Sequence, residues 1–125
     1  KIKILMLPIP NLYHLWKVSP KNRCQWRWNL FKLCSPLLHS KRTEEERVAF
    51  KNRINKINDY IEDISLNYPD NIRFITELEN FKFKEEHISH RDCFHPSIKG
   101  QDLLSQITWK NGWFQKDSVV RLNLN

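Results

Sequence analysis

KIKILMLPIP, residues 1–10, runs apolar from Ile4 to Leu7 and closes on Pro8 and Pro10. Continuous rather than alternating hydrophobicity is the pattern of a strand covered on both faces of a parallel sheet, and the prolines cannot extend a hydrogen-bonded ladder. A second strand-like run, IRFIT at residues 72–76, follows the turn NYPDN at 67–71. Arg73 in its middle would be costly between two covered faces, so this strand is placed at the edge of the sheet. Between the two runs, Thr43 to Ile64 reads as a helix. Thr43-Glu44-Glu45-Glu46 forms a capping box, and Phe50, Ile54, Ile57, Ile61 and Ile64 recur every three or four residues as one apolar stripe. Strand, helix, strand is a βαβ unit, whose strands run parallel. The expected fold class is therefore α/β with a parallel sheet.

The rest of the chain is consistent with one domain. Its 125 residues are 40% hydrophobic and 28% charged, with five Trp and seven Phe, a composition that folds around a core and keeps a polar surface. No stretch approaches the roughly 18 apolar residues that a membrane span needs. The formal net charge of +7 permits attraction to nucleic acid, anionic lipid or acidic substrates. Its cations are spread through Lys21, Arg23, Arg27, Lys41, Arg42 and Lys51, which reads as a basic surface. PNLYHLWKV after the first strand is an aromatic loop or short helical turn. In 19–39, Trp28, Phe31 and either Leu30 or Cys34 recur at helical spacing, as a packed cover would. A last helix is expected from about Ile98 to Trp109, capped by Ser97, with Gly100 allowing a close approach to the sheet. Residues 110–125 show no clear period.

HRDCFHPSIKGQ, residues 90–101, carries the chemistry. Asp92 and His95 stand three residues apart in a turn-forming segment. An Asp at that spacing can bond the imidazole Nδ1, fix the tautomer and leave Nε2 free to take a proton from a nucleophile.

DCFHPSIKGQ followed by LLSQITW resembles the last block of the SGNH, or GDSL, hydrolases, a family of serine esterases, lipases and phospholipase B-like enzymes. The earlier PNLYHLW also resembles that family's segment after its penultimate sheet strand. The likeness runs in order from Lys1 to about Phe114. It implies a three-layer α/β/α sandwich with a parallel, flavodoxin-like sheet, of which 1–114 would form the C-terminal part and 115–125 a tail. It implies that Asp92 and His95 are catalytic, that Tyr13, Trp16 and Phe94 are candidate substrate contacts, and that the reaction uses no metal or cofactor. The partner would be an ester substrate, lipid or small acyl ester, rather than nucleic acid. A secreted or extracytoplasmic location follows from the family alone.

The departures matter as much. The family's blocks bearing the nucleophilic Ser and the oxyanion donors are absent; Ser65, Ser89, Ser97 and Ser105 lack an elbow-like glycine context, and the chain holds only Gly100 and Gly112. The chain opens directly in a strand-like run without an initiator Met, so it is expected to be cut from something longer, to need the missing N-terminal half and to show no esterase activity alone. Family members with a Cys ahead of Leu-Leu, as Cys34 precedes Leu37 and Leu38, pair it beyond the next helix. This chain has no cysteine there, which leaves a Cys24–Cys34 bridge open.

Two other classes stay in view. His87, His90, Cys93 and His95 lie within nine residues and offer zinc ligands, though HxxHxxCxH matches no module with separated ligand pairs. Trp26 and Trp28 among Lys21, Arg23, Arg27 and Lys32 would suit a basic nucleic-acid-binding module.

Overall fold

The computed structural model describes residues 2–79 and 81–113; the tail assigned to 115–125 lies outside them. The described chain runs β1 (Ile4–Met6), α1 (Leu12–Val18), α2 (Lys21–Phe31), α3 (Ser35–Leu38), α4 (Glu44–Leu66), β2 (Ile72–Phe74), two single 3-10 turns at Thr76–Leu78 and Glu85–His87, and α5 (Ile98–Asn111).

The architecture corrects the expected fold class. The described residues are 59% helical, and their sheet consists of two strands rather than the middle layer of a three-layer α/β/α sandwich. β1 and β2 do pair in parallel, Ile4 with Ile72, Leu5 with Arg73 and Met6 with Phe74. Each is only three residues long, so the pair cannot supply the covered surface on which a sandwich is built. Ile4 is 44% exposed, and the strand read as covered on both faces is only partly so. Hydrophobicity identified the strand; coverage depends on what packs over it, which no local pattern encodes.

The core lies among helices instead. Leu15 from α1, Cys24 and Trp28 from α2, Leu37 and Leu38 from α3, and Ile88 and Cys93 from the segment before α5 form one buried cluster. α2 puts Cys24 and Trp28 inward at i and i+4, while Leu30 and Phe31 face out. Of the stripe read through Trp28, Phe31 and Leu30 or Cys34, Trp28 is buried and Cys34 packs against the cluster, whereas Leu30 and Phe31 are exposed.

α4 begins where its capping box requires: Glu46 N–H donates to Thr43 Oγ1 at 3.3 Å and Thr43 N–H to Glu46 Oε2 at 2.9 Å. Its inner face is more polar than its apolar stripe suggests. Ile57 and Ile64 are exposed, whereas Arg47, Asn58 and Ser65 are buried. Each buried polar group has a carbonyl to bond, as burial demands. Arg47 donates to the carbonyls of Leu37, His39 and Arg42, tying α4 to the end of α3. Asn58 takes the N–H of Ile9 at 2.8 Å and gives to its carbonyl at 3.0 Å, so it holds the chain leaving β1 as a neighbouring strand would.

Candidate functional site

The segment 88–97 folds into a narrow loop, and its backbone explains how. Ile88 and Pro96 form an antiparallel bridge, Ser89 N–H donates to the His95 carbonyl at 2.8 Å, and Cys93 N–H returns to the Ser89 carbonyl at 2.9 Å. Cys93 turns the loop with a left-handed φ of 59°, a conformation that costs a non-glycine residue energy and needs fixing by its surroundings. The fixing comes from α2. Cys93 is disulfide-bonded to Cys24, and its carbonyl accepts from Trp28 Nε1 at 3.2 Å. This pairing replaces the Cys24–Cys34 bridge left open by the sequence; Cys34 is the free thiol, and burial pushes it up in pKa.

On that anchored turn sit Asp92 and His95. Asp92 Oδ1 accepts from the N–H groups of Phe94 at 2.9 Å and His95 at 3.1 Å, and Oδ2 lies 2.6 Å from His95 Nδ1. The carboxylate therefore orients the imidazole while its other oxygen closes the turn beneath it. Burial works to raise the Asp92 carboxyl, but the bonds from His95 Nδ1 and the two amides outweigh it and hold the pKa below the ordinary value. With Nδ1 bonded to the carboxylate, Nε2 is the ring nitrogen left to act as a base. The side chains are 67% exposed for His95 and 32% for Asp92, so the pair lies at a surface.

Beside it opens a cavity of about 310 Å³. Leu12, Leu15, Phe83, Phe94 and Leu104 line it with Pro10, Pro96 and two histidines, His87 and His95. The lining is almost wholly apolar, and His95, 67% exposed, brings a base to this recess. A larger open groove of about 580 Å³ lies between the end of α4, β2 and Trp113, and it holds no histidine or cysteine. The smaller cavity is therefore the candidate site.

Of the three candidate substrate contacts, Phe94 lines this cavity and packs edge-on against the His95 ring, centroids 5.2 Å apart. Tyr13 and Trp16 do not line the cavity. Tyr13 bonds the Glu44 carboxylate, and the Trp16 ring lies among Lys17, Lys21 and Arg47 at 5.0, 4.5 and 4.4 Å. Burial, then the charges of Arg47 and Lys17, push Lys21 down to about 8. These contacts seat α1 on α4. The residues that composition could not assign to the cavity, Pro10, Leu12, Leu15, Phe83 and Leu104, carry no chemical signature; only folding gathers them.

Gly100 is placed differently from expectation. It approaches the carbonyl of His87, not the sheet: a Cβ there would stand 2.2 Å from that oxygen. Ser97 caps α5, accepting from Gly100 N–H at 3.1 Å and donating to the Glu86 carbonyl at 2.6 Å. α5 is thereby held against the loop that carries Asp92 and His95.

The zinc alternative loses its sulfur ligand, because Cys93 is committed to Cys24; Nδ1 of His95 is bonded to Asp92, and Nδ1 of His87 accepts the N–H of Lys84 at 3.1 Å. Among the described residues no group of three His, Cys, Asp or Glu could hold a metal ion. For nucleic acid, Trp28 is fully buried and cannot stack on a base. Among the described residues no helix is long and apolar enough to cross a membrane. No family model, no curated protein and no solved structure matches the chain.

Proposed function

We propose that this chain supplies the Asp–His half of a serine ester hydrolase, with Asp92 as the orienting acid and His95 as the general base. The single observation that carries the reading is the 2.6 Å contact from Asp92 Oδ2 to His95 Nδ1 on a cross-linked turn that lines an apolar recess. In that role His95 Nε2 takes the proton of a serine hydroxyl as its oxygen attacks the ester carbonyl, then returns it to the departing alcohol; water repeats the cycle to release the acid. Asp92 keeps Nδ1 protonated and stabilises the imidazolium. The reading rests on the site and not on the sandwich fold, which the structure does not have.

Among the described residues no serine hydroxyl bonds His95 Nε2. Ser97 Oγ is used by Gly100 and Glu86, and Ser89 Oγ accepts from the Arg91 N–H. The nucleophile and the oxyanion donors come from outside the described residues in this proposal. The Cys24–Cys93 bridge is at home in an oxidising compartment, which accords with secretion. The test is hydrolysis of a short p-nitrophenyl ester by the protein expressed with whatever coding sequence precedes Lys1. Activity that falls by about a thousandfold or more in His95→Ala and Asp92→Asn supports the proposal. Ester hydrolysis that survives His95→Ala overturns it.

A further inference from the structure

Four separate segments build the recess beside Asp92. α1 supplies Leu12 and Leu15, the chain between the two 3-10 turns supplies Phe83, the disulfide-anchored turn supplies Phe94 and Pro96, and α5 supplies Leu104. Contacts outside the recess hold these segments together. His14 Nε2 donates to the Phe83 carbonyl at 2.9 Å, which ties the Phe83 segment to α1. Ser97 N–H donates to the His87 carbonyl at 2.9 Å and Gly100 packs against the same oxygen, which ties α5 to the turn. Leu15 and Phe83 are themselves buried. The recess is therefore a preformed site, as small-molecule pockets usually are.

Its lining and size limit what it can hold. A sugar, a nucleobase or a peptide backbone would bring polar groups that these walls leave unpaired, which costs more than the contact returns. Water fares little better, since it needs two or more polar partners, and hydrocarbon is what such a surface takes up. The volume is about 310 Å³. A water takes about 30 Å³ in the liquid and a methylene is about as large, so the recess has room for about ten carbons. His95 lines the same recess with a side chain 67% exposed, so a polar end group left beside it stays in water.

We propose that this recess binds the unbranched hydrocarbon chain, about eight to ten carbons long, of a medium-chain ester or acid, whose carboxyl end lies beside His95. That the chain belongs to a substrate rests on the ester-hydrolase reading; that it binds does not. The ester is then a lipid-like one, whose carbohydrate counterpart the recess refuses.

The test is isothermal titration calorimetry of the chain with decanoate, butyrate and 1-naphthoate. Decanoate is expected to bind at one site about tenfold or more tighter than butyrate, because its added methylenes leave water, and tighter than the rigid naphthoate. Leu104→Trp fills the recess from α5 and Leu12→Trp fills it from α1. Each should weaken decanoate by about tenfold or more, and the melting temperature of each variant checks that these half-buried positions accept the change. Decanoate bound no better than butyrate overturns the proposal. So does preference for naphthoate, or decanoate binding that both folded tryptophan variants retain. Binding needs no nucleophile: decanoate held by a protein whose ester hydrolysis survives His95→Ala leaves this site standing and removes the hydrolase reading. Absence of decanoate binding removes the site whatever the esterase assay gives.

Discussion

Asn58 closes both hydrogen bonds of Ile9, accepting its N–H at 2.8 Å and donating to its carbonyl at 3.0 Å across 49 residues of sequence. Buried on α4, it takes the place of the missing neighbour strand. Asn58→Ala leaves two backbone groups of Ile9 without partners, and removing one member of a buried bond costs about 1–3 kcal/mol. Asn58→Asp retains the acceptor but loses the donor and buries a carboxylate against the Ile9 carbonyl, so it should cost at least as much as Asn58→Ala. Urea denaturation of the three proteins checks the order; an Asn58→Ala variant as stable as the parent would refute the clamp.

The link from Cys24 to Cys93 closes a loop of 69 residues around most of the core. A cross-link over that distance lowers the entropy of the unfolded chain by an amount worth about 4 kcal/mol in stability. Reduction, or Cys24→Ser with Cys93→Ser, should lower the melting temperature by many degrees. The same change should loosen the turn that holds Asp92, because Cys93 occupies its left-handed position. A reduced protein that melts with the oxidised one would show the bridge to be dispensable.

Those two contacts also show where reading the sequence stops. α4 was legible to its first residue, since Thr43 and Glu46 are a local pair, and the Asp92–His95 bond followed from spacing alone. The sheet was not legible in extent. An apolar run says that a segment buries itself; it does not say how far its ladder extends, and three residues of pairing gave a largely helical structure where a three-layer α/β/α sandwich was expected. The apolar stripe of α4 was legible at Phe50, Ile54 and Ile61, which are half-buried, but Ile57 and Ile64 at its edge are exposed, and the polar residues Arg47 and Asn58 are buried beside it by carbonyls brought from 5 to 49 residues away. Cys24 and Cys93 could not be paired for the same reason.

Gly100 offers a substitution whose sign discriminates. Within a helix, Gly→Ala ordinarily stabilises by about 1 kcal/mol. Here the added Cβ would stand 2.2 Å from the His87 carbonyl oxygen, which already accepts the N–H of Ser97. α5 must then move off the loop that carries His95. Gly100→Ala should therefore destabilise, read as a lower melting temperature, and a stabilised variant would show that the close approach is not required.

Asp92 sets a limit at acid pH. Its carboxyl sits below the ordinary value in the folded protein because His95 Nδ1 and two backbone amides favour the charged form more than burial opposes it. A depressed carboxyl contributes stability that is complete above the unfolded value of about 3.9 and is lost as pH falls from there through the folded one. The turn should thus keep its protection at neutral pH and open below about pH 4. Amide exchange at Phe94 and His95, the two N–H groups that Asp92 accepts, reads this directly. Asp92→Asn keeps an acceptor oxygen but no titrating charge, so its exchange profile should lack the acid limb. An unchanged limb in Asp92→Asn would mean that another group controls the turn, and the orienting role of Asp92 for His95 would lose its physical basis.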